Sequence, residues 1–125
     1  MNKVYENIKH ETEVFDASPH RLVQMLLERC VQQILLGRHS MERKDVASKC
    51  QAITKAMDII SYLKAMLNRE APEAKELTGK LSDVYAFINK QLLFANMNNE
   101  PAYLDDALQK LNIIKSGWDA MGEPK

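Results

Sequence analysis

The side chains best suited to chemistry in this sequence are three histidines and two cysteines, scattered along 125 residues. Metal sites in helical bundles often use a Glu-x-x-His pair, whose two ligands lie one helical turn apart. No histidine here has a glutamate three residues before it, and His39 and Glu42 have this spacing in the reverse order. A lone pair near a helix end is more typical of a solvated surface, because a metal site needs three or four ligands. We therefore predict no metal site, and His20 has no evident partner in the sequence.

The two cysteines are too few for a disulfide framework and too far apart for a CxxC motif. If Cys30 and Cys50 lie on antiparallel helices that turn near Arg43, they are offset by about 10 Å along the bundle. That offset exceeds the reach of a disulfide bond. Both fall on predicted apolar faces, so we predict that they are small buried hydrophobic residues.

Motifs that carry catalysis in many enzymes are missing. The sequence has no GxxxxGK[ST] or GxGxxG loop to bind phosphates and no GxSxG turn to present a nucleophile. No haem-attachment motif occurs either. The sequence therefore predicts a protein that is not an enzyme and needs no cofactor.

The charges are balanced, with 17 Lys and Arg against 17 Asp and Glu. A neutral chain without a block of basic residues argues against a nucleic-acid partner. The N-terminal residues lack the apolar core of a signal peptide, and no uncharged run is long enough to span a bilayer. We expect a soluble protein of the cytosol that does not insert into membranes.

Helix signals divide the chain into four segments. Ser18 suits the N-cap position and Pro19 the first turn, where the missing N–H of proline costs nothing. Asp45 has the side chain of an N-cap, and Pro101 restarts the apolar pattern. Apolar residues at three- and four-residue spacing predict helices over about 18–42, 45–68, 72–98 and 101–121. Four helices with short connections predict a single domain, 1–125, that is an all-α, antiparallel up-down four-helix bundle.

Residues 1–17 precede the first helix signal and are predicted to form an N-terminal arm. The spacing of Val4, Ile8 and Phe15 suits a short helix, but no residue caps it firmly. Both an arm packed on the bundle and a frayed terminus agree with this pattern.

The third predicted helix has more apolar residues than one core face needs. Phe87 and Phe94 lie on one flank of its main stripe, and Leu93 and Met97 lie towards another. We predict that Phe87 and Phe94 remain available to a partner and that Leu81, Val84, Ile88 and Leu92 face inward. The main stripe consists of Leu77, Leu81, Val84, Ile88, Leu92 and Ala95.

The second predicted helix shows a similar surplus. Its core stripe consists of Val46, Cys50, Ile53, Met57, Ile60 and Leu67. Ala52, Ile59 and Met66 form a second stripe at seven-residue steps, rotated by about 100° from the core stripe. The chain also has seven methionines, whose flexible side chains suit irregular apolar surfaces. These stripes either belong to a deep core or a homodimer seam, or form a groove that accepts amphipathic helices of a partner.

Several local patterns occur together in a fixed order. They are SPHRLVQML over 18–26, IxKAxxIIxxL over 53–63, LxxxYxxI over 81–88, LxxAN over 92–96, and Trp118 near the end of the last helix. With these patterns, the chain resembles the flagellin-specific export chaperones, the FliS family, over nearly its full length.

This resemblance implies a cytosolic four-helix bundle that binds the disordered C-terminal region of flagellin, its client. In the family, the client wraps round the bundle as helical segments joined by extended pieces. The resemblance further implies that binding prevents premature polymerisation and assists delivery to the membrane protein of the flagellar export gate. Some members also bind an anti-sigma factor, and the N-terminal arm can cover part of the client site.

From the resemblance and the surplus stripes together, we predict client contacts on helices 2, 3 and 4. The predicted client-binding residues are Ile53, Ala56, Ile59, Ile60, Leu63, Tyr85, Phe87, Phe94, Asn96, Leu104 and Leu108. For Ile53, Ile60 and Leu108, the core is the strongest alternative. The arm residues Val4, Tyr5 and Ile8 are predicted to occupy part of the groove when no client is bound.

Two alternatives stay open. Asn96 and Asn99 either bond to extended client backbone or cap the third helix. For the chain as a whole, the alternative comes from another class of proteins. It is a structural helical bundle that homodimerises through its second apolar stripes.

Overall fold

The computed structural model describes residues 18–67 and 75–122. These residues form four α-helices and no β-strand: α1 Pro19–Glu42, α2 Val46–Leu67, α3 Lys75–Asn98 and α4 Pro101–Met121. The predicted N-terminal arm and the predicted start of the third helix near residue 72 lie outside the described residues. No helix in the described ranges carries an apolar stretch long enough to cross a membrane.

The helix ends follow from local hydrogen-bond chemistry. The Ser18 hydroxyl accepts the backbone N–H of Arg21 at 3.1 Å, and proline occupies the first turn of α1. The Asp45 carboxylate accepts the backbone N–H of Ser48 at 3.1 Å, so it caps α2 as predicted. This bond and a second one from the Ser48 hydroxyl hold the pKa of Asp45 below its usual value.

The turn between α3 and α4 is short, with two residues between Asn98 and Pro101. Asn99 adopts a left-handed backbone conformation, with φ of 53°, which asparagine tolerates better than most residues. Pro101 then supplies the first residue of α4. Because the connection is so short, α4 must run back along α3.

The helices pack in a ring, α1 against α2, α2 against α3, α3 against α4, and α4 back against α1. All four contribute to one core, whose largest fully buried side chains include Leu26, Ile34, Ile60, Leu92 and Leu111. The prediction of an all-α antiparallel four-helix bundle is confirmed.

The buried face of α2 is broader than its apolar stripe predicts. Ala52 and Ile59, from the second stripe, are buried with the core, whereas Val46 is 64% exposed. The reason is that α2 packs against both α1 and α3, so two neighbouring faces of one helix are covered. The second stripe on α2 is therefore largely core, and the prediction that Val46 belongs to the core is wrong.

The prediction of two buried cysteines is correct for Cys30 only. The Cys30 side chain is fully buried, its thiol donates to the Ala56 carbonyl at 3.6 Å, and burial raises the pKa of that thiol. Cys50 is half-buried, and its thiol donates to Asn96 Oδ1 at 3.4 Å. Both thiols are free.

Gly37 lies at a close contact between α1 and α2. A Cβ atom at this position would lie 3.1 Å from Ile53 Cγ1 and 3.7 Å from Ala52 Cβ. The glycine therefore allows the two helices to pack without a gap.

We expect Gly37→Leu to destabilise the protein by about 2 kcal/mol, because forcing a larger side chain into this contact costs more than the gain in helix propensity. Urea unfolding measures the change. The same substitution at Gly79, where nothing lies within 4 Å, serves as the control and should leave stability unchanged or slightly raised. Equal stability of the two variants would contradict the close approach at Gly37.

Candidate functional site

The side chains suited to metal chemistry are occupied by structural roles or lie apart. The imidazole of His20 is buried and stacks on the ring of Trp118, with centroids 4.9 Å apart. His39 is exposed, and Glu42 pairs with Arg38 at 3.4 Å. Within the described ranges, no three His, Cys, Asp or Glu side chains converge on a position that could hold a metal ion.

Seven of the predicted client-binding residues lie inside the core. Each is at most 4% exposed: Ile53, Ala56, Ile59, Ile60, Leu63, Tyr85 and Leu104. Burial raises the pKa of the Tyr85 hydroxyl to about 12, so it stays protonated at neutral pH. These side chains shape the interior of the bundle. Their contacts with a client stay a prediction.

The other four predicted residues reach the surface. Phe87 is 37% exposed, while Phe94, Asn96 and Leu108 are partly buried. Three of the four lie on α3, which is therefore the centre of the candidate site. Among the described residues, nine large hydrophobic side chains are exposed, and four of them, Leu77, Phe87, Leu93 and Met97, also lie on α3.

One flank of α3 faces α4. Gln91 donates to the Asp106 carboxylate at 3.1 Å, and the rings of Phe94 and Tyr103 lie 5.6 Å apart. Phe87 lies four residues before Gln91 and seven before Phe94, which places it on the same flank. We call the surface formed by Phe87, Phe94 and Tyr103 the α3–α4 groove.

The ammonium group of Lys90 lies 5.8 Å from the Phe94 ring centroid, at the outer side of the α3–α4 groove. This position gives the groove a cation beside its aromatic residues. The groove can therefore bury apolar side chains and also attract an acidic group at its edge.

The opposite flank of α3 faces α2. The Asn89 amide donates to the Ser61 hydroxyl at 3.0 Å, across the two helices. An open cavity of about 410 Å³ lies beside this bond, and it is lined by Ser61, Lys64, Ala65, Ala86 and Asn89. We call it the α2–α3 groove. Leu93, 44% exposed, follows Asn89 by one helical turn on the same flank.

The sequence interpretation named Asn96 but missed Asn89, which lies on the same flank of α3. Asn89 lies seven residues before Asn96, and both side chains reach across to α2, Asn89 to Ser61 and Asn96 to Cys50. Two amides at seven-residue spacing within an apolar helix were the available signal, because seven residues return to the same helix face.

The C-terminal end of α3 is held by a buried lysine. The ammonium group of Lys49 donates to the Asn96 carbonyl at 3.2 Å and to Asn99 Oδ1 at 3.0 Å, and the residue is only 5% exposed. A cation at this helix end also complements the helix dipole. For Asn99 the structure favours the capping alternative over contact with a client.

Polar contacts join α1 and α4. Arg38 makes two hydrogen bonds to the Asp105 carboxylate, at 2.7 and 3.1 Å, which hold the pKa of that carboxyl below its usual value. The indole N–H of Trp118 donates to the His20 carbonyl at 3.0 Å. These bonds join the helices on the side that is opposite to the α2–α3 groove.

Comparison with known proteins assigns the family. The family described as "Flagellar protein FliS" matches residues 1–125. The chain is 35% identical to "Flagellar secretion chaperone FliSB" of Pseudomonas aeruginosa over 119 residues, covering 95% of this chain and 93% of that protein. It is 31% identical to "Flagellar secretion chaperone FliS" of Vibrio cholerae, covering 94% and 85%, and 32% identical to its Salmonella typhimurium counterpart, covering 93% and 85%. This chain therefore belongs to the FliS family of flagellar proteins.

Proposed function

We propose that this protein is a chaperone that binds the C-terminal region of flagellin through the two grooves beside α3. The observation that carries the proposal is the concentration of exposed apolar side chains on α3, between the α2–α3 and α3–α4 grooves. Grooves of this kind accept amphipathic helices, whose anchors recur at three- and four-residue spacing.

The physical chemistry suits a client that is disordered when free. A disordered segment must lose conformational entropy to form helices on the bundle, and that cost offsets part of the contact energy. Apolar contacts from Phe87, Leu93 and Met97 favour binding in proportion to the area they bury. The result is moderate affinity, which permits release of the client during export.

In this proposal the covered flagellin segment is withheld from other flagellin molecules, so polymerisation does not begin in the cytosol. The chaperone then presents its client to the export gate membrane protein, and an anti-sigma factor is a further candidate partner. The names of the relatives, which are flagellar secretion chaperones, support this role.

The test is a calorimetric titration of the full chain with a peptide of the flagellin C-terminal region. We expect one-to-one binding, a negative heat-capacity change and a gain of helical circular dichroism as the peptide orders. Sedimentation of the chain alone should report a monomer or weak dimer. A stable dimer that does not bind the peptide would instead support a homodimer seam on these surfaces.

The N-terminal arm is proposed to occupy part of the same surface through Val4, Tyr5 and Ile8. Deletion of residues 1–14 should then raise client affinity severalfold, because a tethered competitor at high effective concentration is removed. The triple variant Val4→Ser, Tyr5→Ser, Ile8→Ser keeps the arm length and should have the same effect. Unchanged affinity and association rate in both proteins, with the fold intact, would rule out competition by the arm.

A further inference from the structure

Asn89 has an unusual hydrogen-bond state within the α2–α3 groove. Its side-chain nitrogen donates to the Ser61 hydroxyl at 3.0 Å, but its side-chain oxygen is buried without a hydrogen-bond partner. A buried acceptor that has lost its water without gaining a partner costs free energy, so such groups are rare in folded proteins. This one lies in the wall of an open groove.

The lining of the groove mixes small and polar side chains. Ala65 and Ala86 present only methyl groups, whereas Lys64 is exposed and Ser61 is already bonded to the Asn89 nitrogen. Small side chains on both helices allow a third helix to approach closely. A polar residue in a helix–helix contact favours the one register in which it finds a polar partner.

We propose that Asn89 is a specificity-determining residue of the α2–α3 groove, selecting a helical client segment with an Asn, Gln, Ser or Thr side chain opposite it. The inference rests on the proposed function and adds the chemistry that the groove recognises. The terminal torsion of an asparagine is broad, so the amide turns towards the groove at small cost. Turning it by half a turn exchanges oxygen and nitrogen, and one of them still lacks a partner in either orientation.

Selectivity follows from the cost of a mismatch. A docked segment with Leu opposite Asn89 would cover the groove, and the Asn89 side-chain oxygen would stay without a hydrogen-bond partner. A segment with an amide or hydroxyl there completes the hydrogen bonds of both side chains. A site built around a polar group strongly rejects a partner that leaves this group unpaired. Apolar pockets discriminate less strongly between partners that differ only in size.

The test uses Asn89→Leu in the full chain, with binding of the flagellin C-terminal peptide measured by calorimetry. We expect affinity to fall about tenfold, the usual cost of losing one buried hydrogen bond. Thermal stability should change little, because the substitution removes the unpaired side-chain oxygen together with one hydrogen bond to the exposed Ser61, whose hydroxyl can bond to water instead. A role that is merely structural would lower stability together with affinity, and that result would overturn the proposal.

Asn112→Leu is the matched control, since Asn112 is an exposed asparagine on α4, and it should leave affinity unchanged. If the wild-type chain does not bind the peptide, the proposed function itself fails. If it binds and Asn89→Leu binds equally well, only the role of Asn89 fails.

A double-mutant cycle identifies the partner side chain. Each Asn, Gln, Ser and Thr of the peptide is replaced by Leu and titrated against both the wild type and Asn89→Leu. We expect one peptide position whose replacement weakens wild-type binding about tenfold but has little effect on Asn89→Leu. Additive effects at every position would overturn the proposal.

Discussion

Phe87→Asp is expected to weaken binding of the flagellin C-terminal peptide about 100-fold, which is typical of losing a central aromatic anchor and leaving a buried charge in its place. Phe87 is 37% exposed and lies on the same flank of α3 as Phe94. Because much of its ring already contacts water, the substitution should cost the free bundle little stability. Calorimetric titration measures the loss of affinity, and thermal unfolding measures the stability of the variant.

Leu35→Asp is the matched control for Phe87→Asp. Leu35 is 48% exposed on α1, a helix that does not line either groove beside α3. The substitution makes the same change from an apolar to an acidic side chain, and the Leu35→Asp variant should bind the peptide as the wild type does. Equal losses in both variants would place the client elsewhere, and normal binding by Phe87→Asp would remove the α3–α4 groove from the site.

Ile59→Asp should behave in the opposite way and unfold the bundle before it affects recognition. Ile59 is 3% exposed and belongs to the core. An unpaired carboxylate at this position would lower the free energy of unfolding by about 4 kcal/mol, a large part of the stability of a small domain. Urea unfolding and near-ultraviolet circular dichroism report this loss.

Val46→Asp provides the comparison on the same helix. Val46 is 64% exposed at the first residue of α2, where an acidic side chain is favoured by the helix dipole. This variant should be as stable as the wild type. A stable Ile59→Asp variant with impaired binding would show that Ile59 meets the client directly, as the sequence interpretation predicts.

These expectations divide the apolar residues of α2 and α3 by position. Residues such as Ile59 and Leu92 hold the helices together, while Phe87, Leu93 and Met97 remain on the surface. Arg38 and Asp105 join α1 to α4, whereas four of the exposed large apolar side chains of the described residues lie on α3.

The sequence alone determined the number of helices, the architecture and the family. Ser18 and Asp45 act through hydrogen bonds to residues close by in the chain, and Pro101 acts through its fixed backbone angle. Their effect on helix starts is therefore visible without knowledge of packing. The order of the motifs around Ile53, Tyr85 and Trp118 indicated the family, which the comparisons confirmed.

Only the tertiary structure decided which apolar stripe is core. The helical period of the sequence shows which residues share a face of a helix. How many faces of that helix are buried depends on the helices that pack against it. The second stripe of α2 is largely buried because α2 contacts both α1 and α3, whereas on α3 the described helices leave the outer residues Phe87, Leu93 and Met97 exposed. The pairing of Asn89 with Ser61 across 28 residues of sequence depends on the same packing, and only the folded chain brings the two side chains together.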